Sequence, residues 1–244
     1  MKRISIIIIF ASILSQVAQS QDNLQQDIIK TNQGDLSITF IGHASIMFKF
    51  NDKIIYIDPS SSSGHSFEGF PKADMIIITH NHGDHLDIKT IDLIIQENTK
   101  FLSNKSSFDK LNKGQIITNN ESITLDGLLI ESIPAYNIKH LRNTGDPYHP
   151  KGDGNGYVFT FGDKRIYVAG DTENIPEMAN LNNIDIAFLP MNIPYTMTPE
   201  MVKDAALLFK PKVLYPYHYR GTDPNLLVEL LKDHPDIEVK IRKM

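Results

Sequence analysis

The chain has no cysteine. That excludes disulfide bridges, thiolate metal ligands and a cysteine nucleophile, so any metal must be held by histidines and carboxylates. It also has no run of lysines or arginines. A net charge of −5 and a pI near 6.0 give no general attraction for nucleic acid. The longest apolar run, Ile4 to Leu14, is shorter than the roughly 20 residues that span a bilayer. What is present is ordinary for a globular protein: 41% hydrophobic and 22% charged residues, in a length that suits one large domain or two small ones.

Lys2 and Arg3 precede that apolar run, and Ala18-Gln19-Ser20 follows it. A basic start, an apolar middle and a small-residue end predict a signal peptide over residues 1–20, cut after Ser20. Without a cysteine there, lipid attachment is excluded. The expectation is an exported domain over residues 21–244, periplasmic or secreted, with no stable membrane span once the leader is removed.

The densest chemistry lies in Thr79-His80-Asn81-His82-Gly83-Asp84-His85-Leu86-Asp87. Nine histidines are spread over 244 residues, so three within six positions is a poor fit to chance. The cluster follows Met75-Ile76-Ile77-Ile78, which reads as a buried strand, and open α/β sheets place their ligands at such strand ends. In extended chain His80 and His82 leave one face. Gly83 lets the chain turn so that Asp84 and His85 approach from another side. Two imidazoles, a carboxylate and a third imidazole suit two adjacent metal ions.

The rest of the chain supplies the scaffold. A polar spacer, Gln21 to Gly34, leads into strands at Leu36–Ile41, Ile46–Phe50 and Lys53–Ile57, the last two joined by the turn signal Asn51-Asp52. Helical spacing covers Ile88 to Asn98. A strand at Lys100–Leu102 and a short helix at Phe108–Asn112 follow. Short strands are expected at Gln115–Thr118, Ser122–Leu125 and Leu128–Ile133. Pro134 to Gly156 has no apolar period and reads as a long loop, of the kind that is functional or disordered. Next come a hairpin over Tyr157–Val168, a strand at Ile184–Leu189 and a helix capped by Thr198 with Pro199 at its first position. A last inner strand (Val213–His218), a helix (Asn225–Lys232) and a closing strand (Glu238–Arg242) complete the chain. This order predicts an α/β fold, a four-layer αββα sandwich. Asp58, Asp171 and His218 also follow buried strands, which puts them along the edge that carries the histidine cluster. Asp171 has two oxygens to share between metals, and Tyr195 and Tyr219 are candidates to line the cleft. His43 is a candidate for the pocket rim, while His65 and His234 read as surface residues.

His80-x-His82-x-Asp84-His85, Gly170-Asp171-Thr172 and His218 resemble the metallo-β-lactamase superfamily, over essentially the whole chain after the leader. Gly42-His43-Ala44-Ser45, Ile57-Asp58-Pro59 and Thr196-Met197-Thr198-Pro199-Glu200 are similar to its branch of metal-dependent hydrolases. That branch holds ascorbate-6-phosphate lactonases and N-acyl-phosphatidylethanolamine phospholipase D. The resemblance implies that His80 and His82 hold one metal, that Asp84, His85 and His218 hold the second, and that Asp171 bridges them. It implies that Asp58 orients a ligand from behind. Members of the branch carry a further histidine near Ala135-Tyr136-Asn137, where this chain has Asn137. His149 is the preferred replacement, ahead of His140 or Asn137 itself.

The implied cofactors are two divalent ions, zinc by default, with manganese or iron accepted by the same ligands. The implied reaction uses a metal-bridging hydroxide, oriented by Asp84 as the catalytic residue, to cleave a phosphodiester, lactone or other ester of small-molecule size. A cysteine-dependent β-lactamase is excluded. The alternatives are an iron-dependent oxidoreductase or dioxygenase on the same fold, and a non-catalytic exported metal-binding protein.

Overall fold

The computed structural model describes residues 24–244. The leader expected over residues 1–20 lies outside the described residues. Seven strands form the first sheet, in chain order: β1 (Gln25–Thr31), β2 (Gly34–Gly42), β3 (Ser45–Phe50), β4 (Lys53–Ile57), β5 (Met75–Ile78), β6 (Lys100–Ser103) and β7 (Gln115–Ile116). The second sheet repeats the plan with β8 (Ser122–Leu125), β9 (Leu128–Ala135), β10 (Gly154–Phe161), β11 (Lys164–Val168), β12 (Ile186–Pro190), β13 (Val213–Tyr217) and β14 (Glu238–Val239). In both sheets the early strands pair antiparallel and the later ones parallel. The pseudo-symmetry is therefore one of topology, which an apolar pattern shared by most strands does not reveal.

Local chemistry explains the elements. Asn51 and Asp52 both take positive φ (47° and 61°), the geometry a tight two-residue hairpin needs to match strand twist. β5 is buried at all four positions, as a central strand covered on both faces must be. Between the sheets Phe40, Phe48, Phe159, Phe161, Phe188 and Tyr215 interlock, with Phe40 and Tyr215 centroids 5.0 Å apart. Each such ring withdrawn from water contributes roughly 1.5–3 kcal/mol.

Helices α1 (Ile88–Ile94) and α2 (Lys105–Leu111) cover the outer face of the first sheet, where Ile91, Ile94 and Leu111 meet Ile76, Ile78 and Phe101. Helices α3 (Pro199–Phe209) and α4 (Asn225–Leu231) cover the second, through Val202, Ala205, Leu227 and Leu231. The layering is αββα. Thr198 accepts from the Met201 N–H and Pro199 opens α3, as its sequence predicts. No helix among the described residues is long and apolar enough to cross a membrane.

Several boundaries differ from expectation. The spacer over Gln21–Gly34 contains β1, which pairs with β2 from Gln25 opposite Phe40 to Thr31 opposite Gly34. It escapes an apolar pattern because it is an edge strand whose side chains are mostly exposed. The Arg242 guanidinium bonds its Asp27 carboxylate at 2.8 Å, tying the chain end to this edge. That tie replaces most of the expected closing strand, which shortens to Glu238–Val239. α1 stops at Ile94 because Ile95 is extended, and α2 starts at Lys105 because Asn104 caps it from the Ser107 N–H. The long loop is narrower than its sequence suggests, since Ala135 and Gly154 already pair.

Candidate metal centre

The centre sits where strands of both sheets end. Asp58 follows β4 with a left-handed backbone (φ 46°) and a carboxylate sealed from solvent. That carboxylate accepts the Thr79 N–H at 2.8 Å, the Thr79 hydroxyl at 2.6 Å and His85 Nδ1 at 2.8 Å. A carboxylate only accepts, so His85 carries its proton on Nδ1 and turns Nε2 inward. Thr79 is thereby a fixed platform for the residues after it.

The histidines do not meet by strand alternation. The chain bends after Thr79, and the His85 and Leu86 N–H groups both bond back to the His82 carbonyl (3.1 and 2.8 Å). Gly83 is not needed for this turn: its φ is not positive and a Cβ there would meet nothing within 4 Å. Gly170 is needed. Its φ is 68°, and a Cβ would lie 2.8 Å from the Asn155 carbonyl, so only glycine delivers Asp171 from β11 into the centre.

One group of donors is His80, His82 and His149. His80 Nε2 lies 3.1 Å from His82 Nδ1, His82 Nδ1 3.2 Å from His149 Nε2, and His149 Nε2 3.3 Å from Asp171 Oδ2. Two ligands placed tetrahedrally around zinc at ordinary bond lengths stand about 3.3 Å apart, so this spacing suits one shared ion. The second group is Asp84, His85 and His218, with His43 beside them. His85 Nε2 is 3.4 Å from Asp171 Oδ1, and His218 Nε2 is 3.4 Å from Asp171 Oδ2 and 3.6 Å from Asp84 Oδ2. Asp171 thus stands between the groups. His85 Nε2, His218 Nε2 and Asp171 Oδ1 are buried without a hydrogen-bond partner. Leaving such atoms unsatisfied costs roughly 1–3 kcal/mol each, and a cation placed among them would satisfy all three. The residues fit a pair of divalent ions.

Of the three loop candidates the structure brings His149 to the first group. Asn137 stands behind it: its Oδ1 accepts both the His149 backbone N–H and Nδ1, each at 2.8 Å. This fixes the proton on Nδ1 and leaves Nε2 for the centre. Asn137 Nδ2 donates to the Tyr195 carbonyl at 2.8 Å and, less closely, to Glu173 Oε1 at 3.3 Å. His140 turns away and meets Glu173 Oε1 through Nδ1 at 2.8 Å. Glu173 is fully buried and collects the backbone N–H groups of Ile138, Lys139 and His140 at 2.7–2.9 Å. The sequence does not single out Glu173, because nothing in its spacing separates a buried loop anchor from a surface carboxylate.

Electrostatics follow from this crowding. Burial, reinforced by neighbouring imidazoles, lowers His43, His80 and His82 from their ordinary range and takes His149 to about 4, so all four are neutral near pH 7. Burial would also lower His85, but the Asp171 and Asp58 carboxylates outweigh it and hold His85 well above the usual histidine range. Burial would raise Asp84 and Asp171. For Asp84 the adjoining His218 and His43 imidazoles win, and for Asp171 the His218 and His85 imidazoles, so both stay ionised.

A cavity of about 540 Å³ opens over the centre, lined beyond the candidate ligands by Arg142, Tyr148, Asn192, Tyr195 and Arg220. His43 reaches it, with Nε2 3.0 Å from Asp84 Oδ2 and its ring 3.9 Å from that of His218. Tyr219 does not line it; its hydroxyl donates to the Arg242 carbonyl at 2.6 Å. His234 is exposed and His65 half-buried, both outside the centre.

A family model described as a beta-lactamase superfamily domain matches residues 37–218. A UPF0173 metal-dependent hydrolase from Nanoarchaeum equitans is 32% identical over 190 residues, 75% of this chain and 84% of the relative. Among solved structures, a Parabacteroides distasonis protein described as a candidate metal-dependent hydrolase is 46% identical. It superposes with a TM-score of 0.86, over 91% of this chain and 99% of its own. A metallo hydrolase from the hyperthermophilic archaeon Ignicoccus hospitalis gives a TM-score of 0.71 at 25% identity, over 85% and 95% of the two chains.

Proposed function

The chain belongs to the beta-lactamase superfamily, and from that membership we propose that it is a metal-dependent hydrolase working with two divalent ions. Its αββα sandwich is the metallo-β-lactamase fold. The observation that carries the proposal is the convergence of His80, His82, His149, Asp171, Asp84, His85 and His218, with three buried ligand atoms lacking any other partner. In this reading His80, His82 and His149 hold one ion, Asp84, His85 and His218 the other, and Asp171 serves both. Zinc is the default for such ligands, with manganese and iron as competitors.

Ions bound there supply a water acidic enough to attack near neutral pH and a Lewis acid for the oxygen of the scissile group. The protein does the rest. Asp84 is the most exposed carboxylate of the centre, at 39% of its side chain. Its contacts to the histidines run through Oδ2, which leaves Oδ1 free to accept a hydrogen bond from the attacking water or hydroxide and so orient it. Neutral His43 donates to Asp84 and holds that carboxylate in place. Asp58, Asn137 and Thr79 fix the ring orientations on which the geometry depends.

The bond cleaved, in this proposal, is a phosphodiester, lactone or other ester of a small molecule. Metal analysis of the purified protein should be combined with a generic phosphodiester, a lactone and a cephalosporin reporter. Turnover of the first two, lost in His82→Ala and Asp171→Ala, is the expected result; undiminished turnover in either variant would refute the assignment. Iron bound with oxygen consumed, and no hydrolysis, would favour an oxidoreductase instead. Export with loss of residues 1–20 belongs to the same proposal and is tested by N-terminal sequencing of the protein recovered outside the cytoplasm.

A further inference from the structure

Four arginines lie among the described residues. Arg165 is paired with Glu131 at 2.5 Å and Arg242 with Asp27 at 2.8 Å. Arg142 and Arg220 make no ion pair among the described residues, and both line the cavity over the metal centre. Each is anchored lightly. Arg142 donates Nη2 to the Tyr148 carbonyl at 3.4 Å and lays its guanidinium over the Tyr148 ring at 4.7 Å. Arg220 donates Nη2 to the Ser62 carbonyl at 2.8 Å. A guanidinium has five N–H donors, so most of each fork is free.

Their placement is paired with that of the ligands. Arg142 belongs to the loop that delivers His149 to the first group, and Arg220 follows His218 of the second group by two residues. The acidic groups lining the cavity, Asp84 and Asp171, are both in the metal centre, while Asn192, Tyr148 and Tyr195 are neutral. A chain of net charge −5 therefore presents two uncompensated positive charges beside its metal site. Guanidinium rather than ammonium matters here, since its planar fork matches the two oxygens of a phosphate or carboxylate.

We propose that Arg142 and Arg220 are specificity-determining residues that grip an oxyanion of the substrate, so that the natural substrate is an organic phosphate or carboxylate rather than a neutral ester or lactone. The substrate's reaction rests on the hydrolase reading; the anion grip does not. The test is calorimetric titration of the metal-loaded protein with phenylphosphonate, benzoate and neutral benzamide. Arg142→Gln and Arg220→Gln should each weaken binding of the preferred anion about tenfold or more at equal metal content. Lys232→Gln, which removes an exposed charge just after α4, should stay within twofold. Tighter binding of phenylphosphonate assigns the oxyanion as phosphate, and tighter binding of benzoate as carboxylate. Affinities within twofold of wild type in both arginine variants would overturn the proposal, as would a wild type that binds neither anion better than benzamide. Absence of hydrolysis on every substrate would refute the hydrolase reading while leaving this binding result to stand or fall by itself.

Discussion

Asn137 couples the long loop to the first metal group, and its replacement by alanine isolates that coupling. In Asn137→Ala two hydrogen bonds to His149 disappear, one from its backbone N–H and one from Nδ1, both 2.8 Å in the wild type. The imidazole then loses the contact that fixes its tautomer and turns Nε2 to His80 and His82. Removing a group that orients a metal ligand from behind costs roughly 10–100-fold in metal affinity, or about 1.4–2.8 kcal/mol. The His149 N–H and the Tyr195 carbonyl are also left without their partner, which lowers folding stability by roughly 1–3 kcal/mol per buried group. Asn137→Asp keeps an acceptor for both His149 bonds, but places a carboxylate where Glu173 Oε1 stands 3.3 Å away. It should restore metal affinity more than stability. The assay is competition with a chromophoric chelator, which resolves two binding steps. Asn137→Ala should weaken one step and spare the other, because His85, His218 and Asp84 do not depend on the loop. Two unchanged steps, or two steps weakened equally, would refute this reasoning.

Other perturbations test neighbouring links. Glu173→Ala strips the partner from three backbone N–H groups at Ile138 to His140 and should speed their hydrogen exchange by at least tenfold, while amides of the sheet interior stay protected. Gly170→Ala meets the Asn155 carbonyl at 2.8 Å with φ at 68°, so denaturant unfolding should show a loss of about 1–3 kcal/mol together with weaker metal binding. In the metal-free protein His149 titrates near 4, against about 6.5 when unfolded. The unfolded chain binds more protons between those values, so stability from this residue is complete above pH 6.5 and is lost as pH falls toward 4. The loss is about 3 kcal/mol at most. His149→Gln should flatten that part of the stability profile measured with chelator present; an unchanged profile would contradict the burial argument.

The six-residue cluster His80 to His85 is legible because four candidate ligands fall within six positions and need no tertiary information to be noticed. Asp171 and His218 are legible because a polar residue directly after a buried strand has few places to point except the sheet edge. The mechanism inferred for the cluster is another matter. Extended-chain alternation would bring His80 and His82 together, yet a bend after Thr79 does so, which only the bonds back to the His82 carbonyl reveal. The residues behind the ligands divide in the same way. Asp58 follows a strand and stands out, whereas Glu173 and Asn137 act through backbone and loop contacts that carry no periodic signature. His43 needs the β2–β3 turn, with its own φ at 54°, before its reach to Asp84 can be seen. The edge strand β1 is hidden for the opposite reason: backbone pairing and an Asp27–Arg242 ion pair from the far end of the chain hold it, and its side chains are mostly polar.

The most direct test of the two-ion hydrolase is metal stoichiometry joined to activity in one preparation. Elemental mass spectrometry should find two divalent ions per chain, with ester turnover that falls to background after chelation and returns when the second equivalent is restored. A protein that binds no more than one ion at saturation, or that turns over substrate unchanged after complete chelation, would contradict the account.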